Sequence, residues 1–303
     1  MNNPKFIMMC GLVASGKSFK AVELAKEYDA SIFSSDELRE EMFGDVNCQE
    51  HNQELFVELH RRIKDCLQSG KSAIMDATNL NYKKRMSFLA ELKNITCEKI
   101  CVLVATPYEE CLRRNANRDR KVPEHVIKRM YYSIDIPWYY EGWDNIEIEY
   151  APSSEKSFGW PYDWVESVMD YNQNNPHHTF TLGQHCEQVK KWIDNHKGST
   201  QLRYAALLHD CGKIKTKTFV NNKGETTDVA HYYSHERAGS YDSLFYEMPT
   251  YNLYVSIIIR WHMQPYFWEK DNNEKLHNKY RKLWGEYLYN DILKLHEADK
   301  FSH

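Results

Sequence analysis

Residues 5–18 read KFIMMCGLVASGKS, and this stretch restricts the fold more than any other. A short apolar run stops at Gly11, and an amphipathic helical pattern begins at Lys17. Between them Gly11 to Ser18 satisfies G-x-x-x-x-G-K-S/T, a loop whose backbone amides wrap phosphates when a strand enters it and a helix leaves it. Gly11, Ser15 and Gly16 belong to the cradle, Lys17 reaches the β and γ phosphates, and the Ser18 hydroxyl can ligate magnesium. ATP or another nucleoside triphosphate, with Mg, is the expected cofactor.

A β-loop-α start demands a parallel sheet, and the next segments supply one. KFIMMC, ASIFSS, SAIMD, KICVLVAT and NIEIEY read as strands, separated by amphipathic segments at 17–28, 50–68, 82–94 and 107–116. That alternation predicts an α/β domain with helices on both faces of the sheet. After Tyr150 the stretch APSSEKSFGWPYD has the composition of a linker, and beyond it the periodicity is helical. The 303 residues therefore divide into an α/β P-loop domain over 1–155 and an all-α domain over 163–303, with the boundary near 155–162.

The net charge of −4 excludes a broadly basic surface, so any nucleic-acid contact has to be a local patch. The eight cysteines form no C-x-x-C pair and read as reduced thiols. With no signal-peptide profile and no apolar run of membrane-spanning length, the expectation is a cytoplasmic protein with no membrane partner.

In open parallel sheets the strand ends line the ligand crevice. The second strand ends in SSDELRE, with Asp36 and, one helical turn on, Arg39. Asp36 can accept a proton from an acceptor hydroxyl while Arg39 grips a neighbouring phosphate; equally, Asp36 can cap the helix and Arg39 lie on the surface. The third strand ends in DATNLN, placing Asp76, Thr78 and Asn79 at the same edge. The segment CLRRNANRDRKVPEHVIKRM is strongly basic, and its position after the fourth strand favours a lid over ATP rather than a solvated face.

Together these blocks, in this order over residues 5 to 133, resemble the 5′-polynucleotide kinase family. The resemblance implies Asp36 as general base, Arg39 as the ligand of the acceptor's phosphate, and Arg118, with Arg120 the near alternative, as the lid arginine on the donor phosphates. It also puts Asp76 and Asn79 against the substrate, although some members read D-T-N where this chain has D-A-T-N.

In the second half, TLGQH, LLHDCGK, SHERAG, RWHM and LHEADKF place His185, His209, Asp210, His235, His262 and Asp299 on successive predicted helices. Imidazoles and carboxylates suit divalent first-row metals, and a carboxylate such as Asp210 can bridge two ions. His196, His277, His296 and His303 read as surface or core residues; His178 and His231 could serve either metal or substrate phosphate. The pattern H…HD…D resembles the HD phosphohydrolase superfamily over residues 175 to 302. That resemblance implies the six residues as ligands of one or two ions of Mn, Ni, Co or similar, and Lys213 as a substrate contact.

The fusion is similar to the bifunctional HD-Pnk end-healing family with its domain order reversed. It implies ATP-dependent phosphorylation of 5′-hydroxyl ends of RNA or DNA. It also implies removal or opening of 2′,3′-cyclic, 2′- or 3′-phosphate ends, in partnership with a separate nucleic-acid ligase. The alternative is a nucleoside kinase fused to a nucleotide phosphohydrolase.

Overall fold

The computed structural model describes residues 3–150, 158–271 and 274–302, and these form two compact units. The boundary expected near 155–162 begins among residues 151–157, outside the described residues, as does His303.

In the first unit β1 (Lys5–Cys10), β2 (Ala30–Ser34), β3 (Ser72–Asp76), β4 (Glu98–Ala105) and β5 (Asn145–Tyr150) form one parallel sheet in the order β2-β3-β1-β4-β5. The chain leaves β1 toward one edge and later returns to build the other, so the C-terminal end of β1 is the switch point where a ligand crevice opens. β1 is a continuous apolar run because both its faces are covered: Ile7 and Met9 form a core with Ile74, Ile100, Val102, Val104, Ala21 and Leu24 on one face, and Phe6 and Met8 are buried on the other, Phe6 against Phe88. Ala21 and Leu24 come from α1 (Lys17–Tyr28), which follows the phosphate-type loop directly. The remaining connections carry α2 (Ser35–Phe43), α3 (Asn52–Gln68), α4 (Tyr82–Glu91), α5 (Tyr108–Ala116) and α6 (Glu124–Tyr131), and a 3-10 turn at Tyr139–Glu141 precedes β5.

The second unit is helical, with α7 (Pro161–Ser167), α8 (Leu182–Asn195), α9 (Thr200–Leu208), the single turn α10 (Lys213–Thr216), α11 (His235–Asp242), α12 (Asn252–Trp261), α13 (Gln264–Asp271) and α14 (Glu274–Phe301). Helix α8 packs on α9 and α14, and α11 on α12. Gly212 brings α10 and α11 into contact: a Cβ there would stand 2.1 Å from the His235 carbonyl oxygen and 2.6 Å from the Gly239 nitrogen.

Two details differ from the sequence expectation. The helical unit also contains an antiparallel hairpin of β6 (Thr218–Val220) and β7 (Thr226–His231). β-Branched Thr and Val flank a turn in which Gly224 has φ +82°, the left-handed conformation that glycine adopts without strain. Residues 131–136, which the strand pattern assigns to the first domain, belong to the second unit. Tyr131 Oη donates to Asp242 at 2.6 Å, and Arg237 and Arg260 each donate to Asp135 Oδ1 at 2.7 Å.

Candidate active sites

The first site is a cavity of about 1480 Å³ around the end of β1, lined by Gly16, Lys17, Ser18, Asp36, Arg39, Asp76, Asn79, Arg114, Arg118 and Arg120 among others. Gly11 has φ +148°, its amide bonds Thr78 O at 3.1 Å, and a Cβ there would stand 2.7 Å from Val104 O; only glycine fits. Gly16 (φ +105°) precedes α1 with no side-chain cap, which leaves the first amides of the helix open to an anion. Lys17 is buried and folds back to donate to Leu12 O at 2.7 Å. Burial pushes its pKa down, against the pull of the Asp76 carboxylate. Ser18 Oγ and the Asp76 carboxylate on the same cavity wall are the oxygen donors that magnesium prefers.

The Asp36 side of the cavity is more tightly knit. Ser34, not Asp36, caps α2 by accepting from Glu37 N, and Arg39 is buried, so the capping alternative for this pair fails. Arg39 donates to Asp36 Oδ1 at 3.1 Å and to Asn52 Oδ1 at 2.9 Å. Arg120 takes the other carboxylate oxygen, Asp36 Oδ2, at 2.7 Å, and also reaches Asn47 and Val46 O. The two arginines expected on the donor phosphates thus part company: Arg120 lies beside the Asp36 carboxylate, while Arg118 is exposed at the cavity wall. Sequence reasoning gave no role to Arg114, whose guanidinium donates to Ser15 O at 3.3 Å and so stands at the phosphate loop itself. It lies one turn after Glu110, which anchors it at 2.6 Å, and that i,i+4 pairing was the available signal. Asn79 spends its amide on Met9 O at 2.8 Å, so it braces the loop against β1.

The second site brings His185, His209, Asp210, His235, His262 and Asp299 to one point, each 6% exposed or less. His185 comes from α8 and Asp299 from α14, whereas the other histidines stand at helix ends: His209 and His262 close α9 and α12, and His235 opens α11. Every one of these imidazoles presents Nδ1 to a backbone carbonyl: His185 to Ser302 at 3.1 Å, His209 to Ala206 at 2.9 Å, His235 to Tyr232 at 2.8 Å and His262 to Ile259 at 2.7 Å. A proton held on Nδ1 turns each Nε2 lone pair inward. Two pairs of Nε2 atoms then face each other, His185 with His209 at 3.1 Å and His235 with His262 at 3.2 Å. Inward lone pairs at that separation repel unless a proton or a metal cation sits between them, and with Asp210 beside both pairs the donor set fits metal.

Asp210 has the geometry of a bridge. Its Oδ2 lies 3.5 Å and 3.4 Å from Nε2 of His185 and His209, and its Oδ1 lies 3.3 Å from Nε2 of His235. Two ligand groups result, His185-His209-Asp210 and Asp210-His235-His262. Asp299 Oδ1 approaches His185 Nε2 at 3.1 Å while Tyr266 donates to its Oδ2 at 2.9 Å. Burial and the neighbouring His235 and His209 hold the His262 pKa down at about 3, which keeps its imidazole neutral. Burial also acts to lower His209, but the charges of Asp210 and Asp299 outweigh it and raise its pKa.

Lys213 is buried beside this set, donating to Asp210 Oδ2 at 2.7 Å and Gln173 Oε1 at 2.9 Å, with His178 Nε2 at 3.4 Å. His231 lies apart on the hairpin, stacked on Tyr233. His196 stacks on Trp192, His277 bonds Tyr289 Oη at 3.0 Å and His296 pairs with Glu269 at 2.9 Å, none of them among the ligand groups. Among the described residues no helix is long and apolar enough to cross a membrane.

Residues 6–137 match the AAA domain family and residues 178–302 match the HD domain family. Among curated proteins, the L-seryl-tRNA(Sec) kinase of Methanococcus maripaludis is 25% identical over 173 residues, covering 55% of this chain and 66% of that protein. The chain thus spans just under two thirds of the length of that relative. Among solved structures, a chain of the Pnkp1/Rnl/Hen1 RNA repair complex is similar with a TM-score of 0.37 and 18% identity, covering 43% of either chain. The APS kinase of Mycobacterium tuberculosis in complex with AMPPNP and APS is similar with a TM-score of 0.38 and 16% identity, covering 51% of this chain and 92% of that one. With the phosphate loop in the first matched segment and the His-Asp cluster in the second, the chain carries a kinase-like P-loop AAA domain followed by an HD domain.

Proposed function

We propose that the chain heals nucleic-acid ends, phosphorylating a 5′-hydroxyl in the P-loop domain and hydrolysing a terminal or 2′,3′-cyclic phosphate in the HD domain. The observation that carries the kinase half is the Asp36-Arg39 pair facing the phosphate loop across a cavity of about 1480 Å³, larger than the roughly 300–1,000 Å³ of ordinary small-ligand pockets. Lys17, Arg114 and Arg118 neutralise the ATP phosphates. Asp36 accepts the proton of the acceptor hydroxyl as its oxygen bonds the γ-phosphorus and the bond to ADP breaks. In the resting site both Asp36 oxygens are occupied by arginines. An acceptor phosphate that draws Arg39 or Arg120 away frees the oxygen that takes the proton, which couples catalysis to a phosphorylated acceptor.

In the HD domain His185, His209, Asp210 and Asp299 would hold one divalent ion and Asp210, His235 and His262 a second. When bound, such ions supply Lewis acidity and an activated water. Lys213 offers its ammonium to the phosphate and the buried walls exclude bulk water. Similarity to a kinase named for seryl-tRNA supports an acceptor hydroxyl carried by RNA. The test is mass spectrometry of a short RNA with a 5′-hydroxyl and a 2′,3′-cyclic phosphate, incubated with protein, ATP, Mg²⁺ and Mn²⁺. Gain of a 5′-phosphate with loss or opening of the cyclic phosphate is expected. Turnover of free nucleoside and mononucleotide, with both RNA ends untouched, would replace this reading by a small-molecule kinase fused to a nucleotide phosphohydrolase.

A further inference from the structure

The His-Asp cluster and Lys213 use only the first part of LLHDCGKIKTKTF, and the remainder continues outward from the cluster. The Lys213 ammonium lies 5.3 Å from the centre of the Tyr232 ring. Tyr232 is pinned by its hydroxyl to Gln173 O, and burial, Tyr171 and Asp210 together raise its pKa, so Tyr171 and Asp210 are its electrostatic neighbours. Over Tyr171, at 4.6 Å, stands the Lys217 ammonium, which is also 5.9 Å from the Phe219 ring. Phe219 itself is 41% exposed. Lysines and rings therefore run from the buried Lys213 through half-buried Tyr232, Tyr171 and Lys217 to Phe219 in solvent.

The two lysines make three cation-ring contacts between them, and the rings come from three separate segments of the chain. The Lys217 ammonium donates to Asn172 O at 2.8 Å and Asn174 Oδ1 at 2.7 Å, both neutral acceptors. A mononucleotide would need only the cluster and Lys213. A second cation beside two rings, farther from the cluster, suits a ligand that continues as a chain of phosphates and bases.

We propose that the track Tyr232-Tyr171-Lys217-Phe219 receives the single-stranded end of a nucleic acid, its terminal phosphate at Lys213 and the metal ligands, an inner phosphate at Lys217, and its bases against Tyr171 and Phe219. The proposal rests on the hydrolase reading of the HD domain and deepens it by naming the residues that hold the strand behind its terminal phosphate. Lys217 and Phe219 take no part in the ligand set, so their loss weakens the grip on the chain and leaves the centre intact.

The test uses the full-length protein with Mn²⁺ and 3′-phosphorylated single-stranded decamers of RNA and of DNA, labelled at the 5′ end to remove the kinase acceptor hydroxyl. Binding is read by fluorescence anisotropy for wild type, Lys217→Gln, Phe219→Leu and Phe219→Tyr. Loss of one stacked ring or one phosphate contact should weaken decamer binding about fivefold to hundredfold, and Lys217→Gln should also lower the salt slope by about one. Phe219→Tyr should bind as wild type, and metal content and turnover of a 3′-mononucleotide should not change. The RNA and DNA arms distinguish the two sources of such an end, and tight binding of either supports the track. Decamer affinity unmoved by Lys217→Gln and Phe219→Leu would overturn it, as would displacement of the decamer by an acidic peptide of equal charge at equal concentration. If wild type hydrolyses neither substrate yet the variants lose decamer affinity, the hydrolase reading fails and the track stands. If wild type hydrolyses both and the variants keep full affinity, the track fails and the hydrolase reading stands.

Discussion

Arg85→Met removes the cation from an ion pair whose side chains are 1% and 0% exposed. Arg85 donates to both oxygens of Glu141, at 2.7 Å and 2.6 Å, and its third donor bonds Asn79 O at 2.8 Å. After the substitution Glu141 keeps only Trp143 Nε1 at 3.0 Å and the Trp138 amide at 3.2 Å. A buried charge stripped of its partner costs about 3–5 kcal/mol. For a unit of this size that is a fall in Tm of roughly 6–20 °C. Urea and thermal unfolding measure both quantities. The loss should also reach the phosphate loop, because Asn79 ties the same segment to Met9 and Thr78 ties it to Gly11, so ATP affinity should fall with stability. The double variant Arg85→Met, Glu141→Leu removes the lone charge but orphans Trp143 Nε1 and takes one bond from Asn79 O. At about 1–3 kcal/mol for each unsatisfied group, it should stay well below wild type. A single-variant loss under about 1 kcal/mol, or full recovery in the double variant, would refute this reasoning.

Asp210→Asn should cost the protein both ions at once, whereas His262→Gln should leave the ion held by His185 and His209; elemental analysis of Mn²⁺-loaded protein counts them. Gly212→Ala should destabilise the HD unit by more than about 2 kcal/mol and abolish metal uptake, since its methyl would stand 2.1 Å from the carbonyl of the ligand His235; wild-type melting and metal content would contradict the packing. His60, stacked on Phe88 at 3.9 Å, has its pKa lowered by burial. The unfolded chain therefore takes that proton first, so the stability from neutral His60 is present above pH about 6.5 and is lost as pH falls below it. Urea midpoints between pH 7.5 and 5 should drop more steeply for wild type than for His60→Phe, and parallel curves would remove His60 from the acid response.

Much of the layout was legible because its signals are local. The G-x-x-x-x-G-K-S spacing, the apolar runs of the five strands and the His-Asp doublet each lie within a few residues, and α1 begins and ends where the periodicity puts it, at 17–28. What the sequence hid is carried by pairs far apart in the chain. Arg85 and Glu141 are 56 residues apart and neither sits in a motif. Arg120 reaches Asp36 across 84 residues, so which of Arg118 and Arg120 meets that carboxylate depends on how the basic segment folds back. Residues 131–136 look like an extension of α6, yet Asp135 is claimed by Arg237 and Arg260, more than 100 residues on. The hairpin was a different miss, since Thr-Val alternation around N-K-G was visible but lay inside a stretch read as helical throughout.

The most direct measurement of the central claim, two independent chemistries on the two ends of one polynucleotide, follows both ends of a single RNA with wild type, Lys17→Ala and Asp210→Asn. Lys17→Ala should lose 5′-phosphorylation and keep 3′-end hydrolysis, and Asp210→Asn should do the opposite. Loss of both activities from either substitution in a folded protein would contradict separate sites.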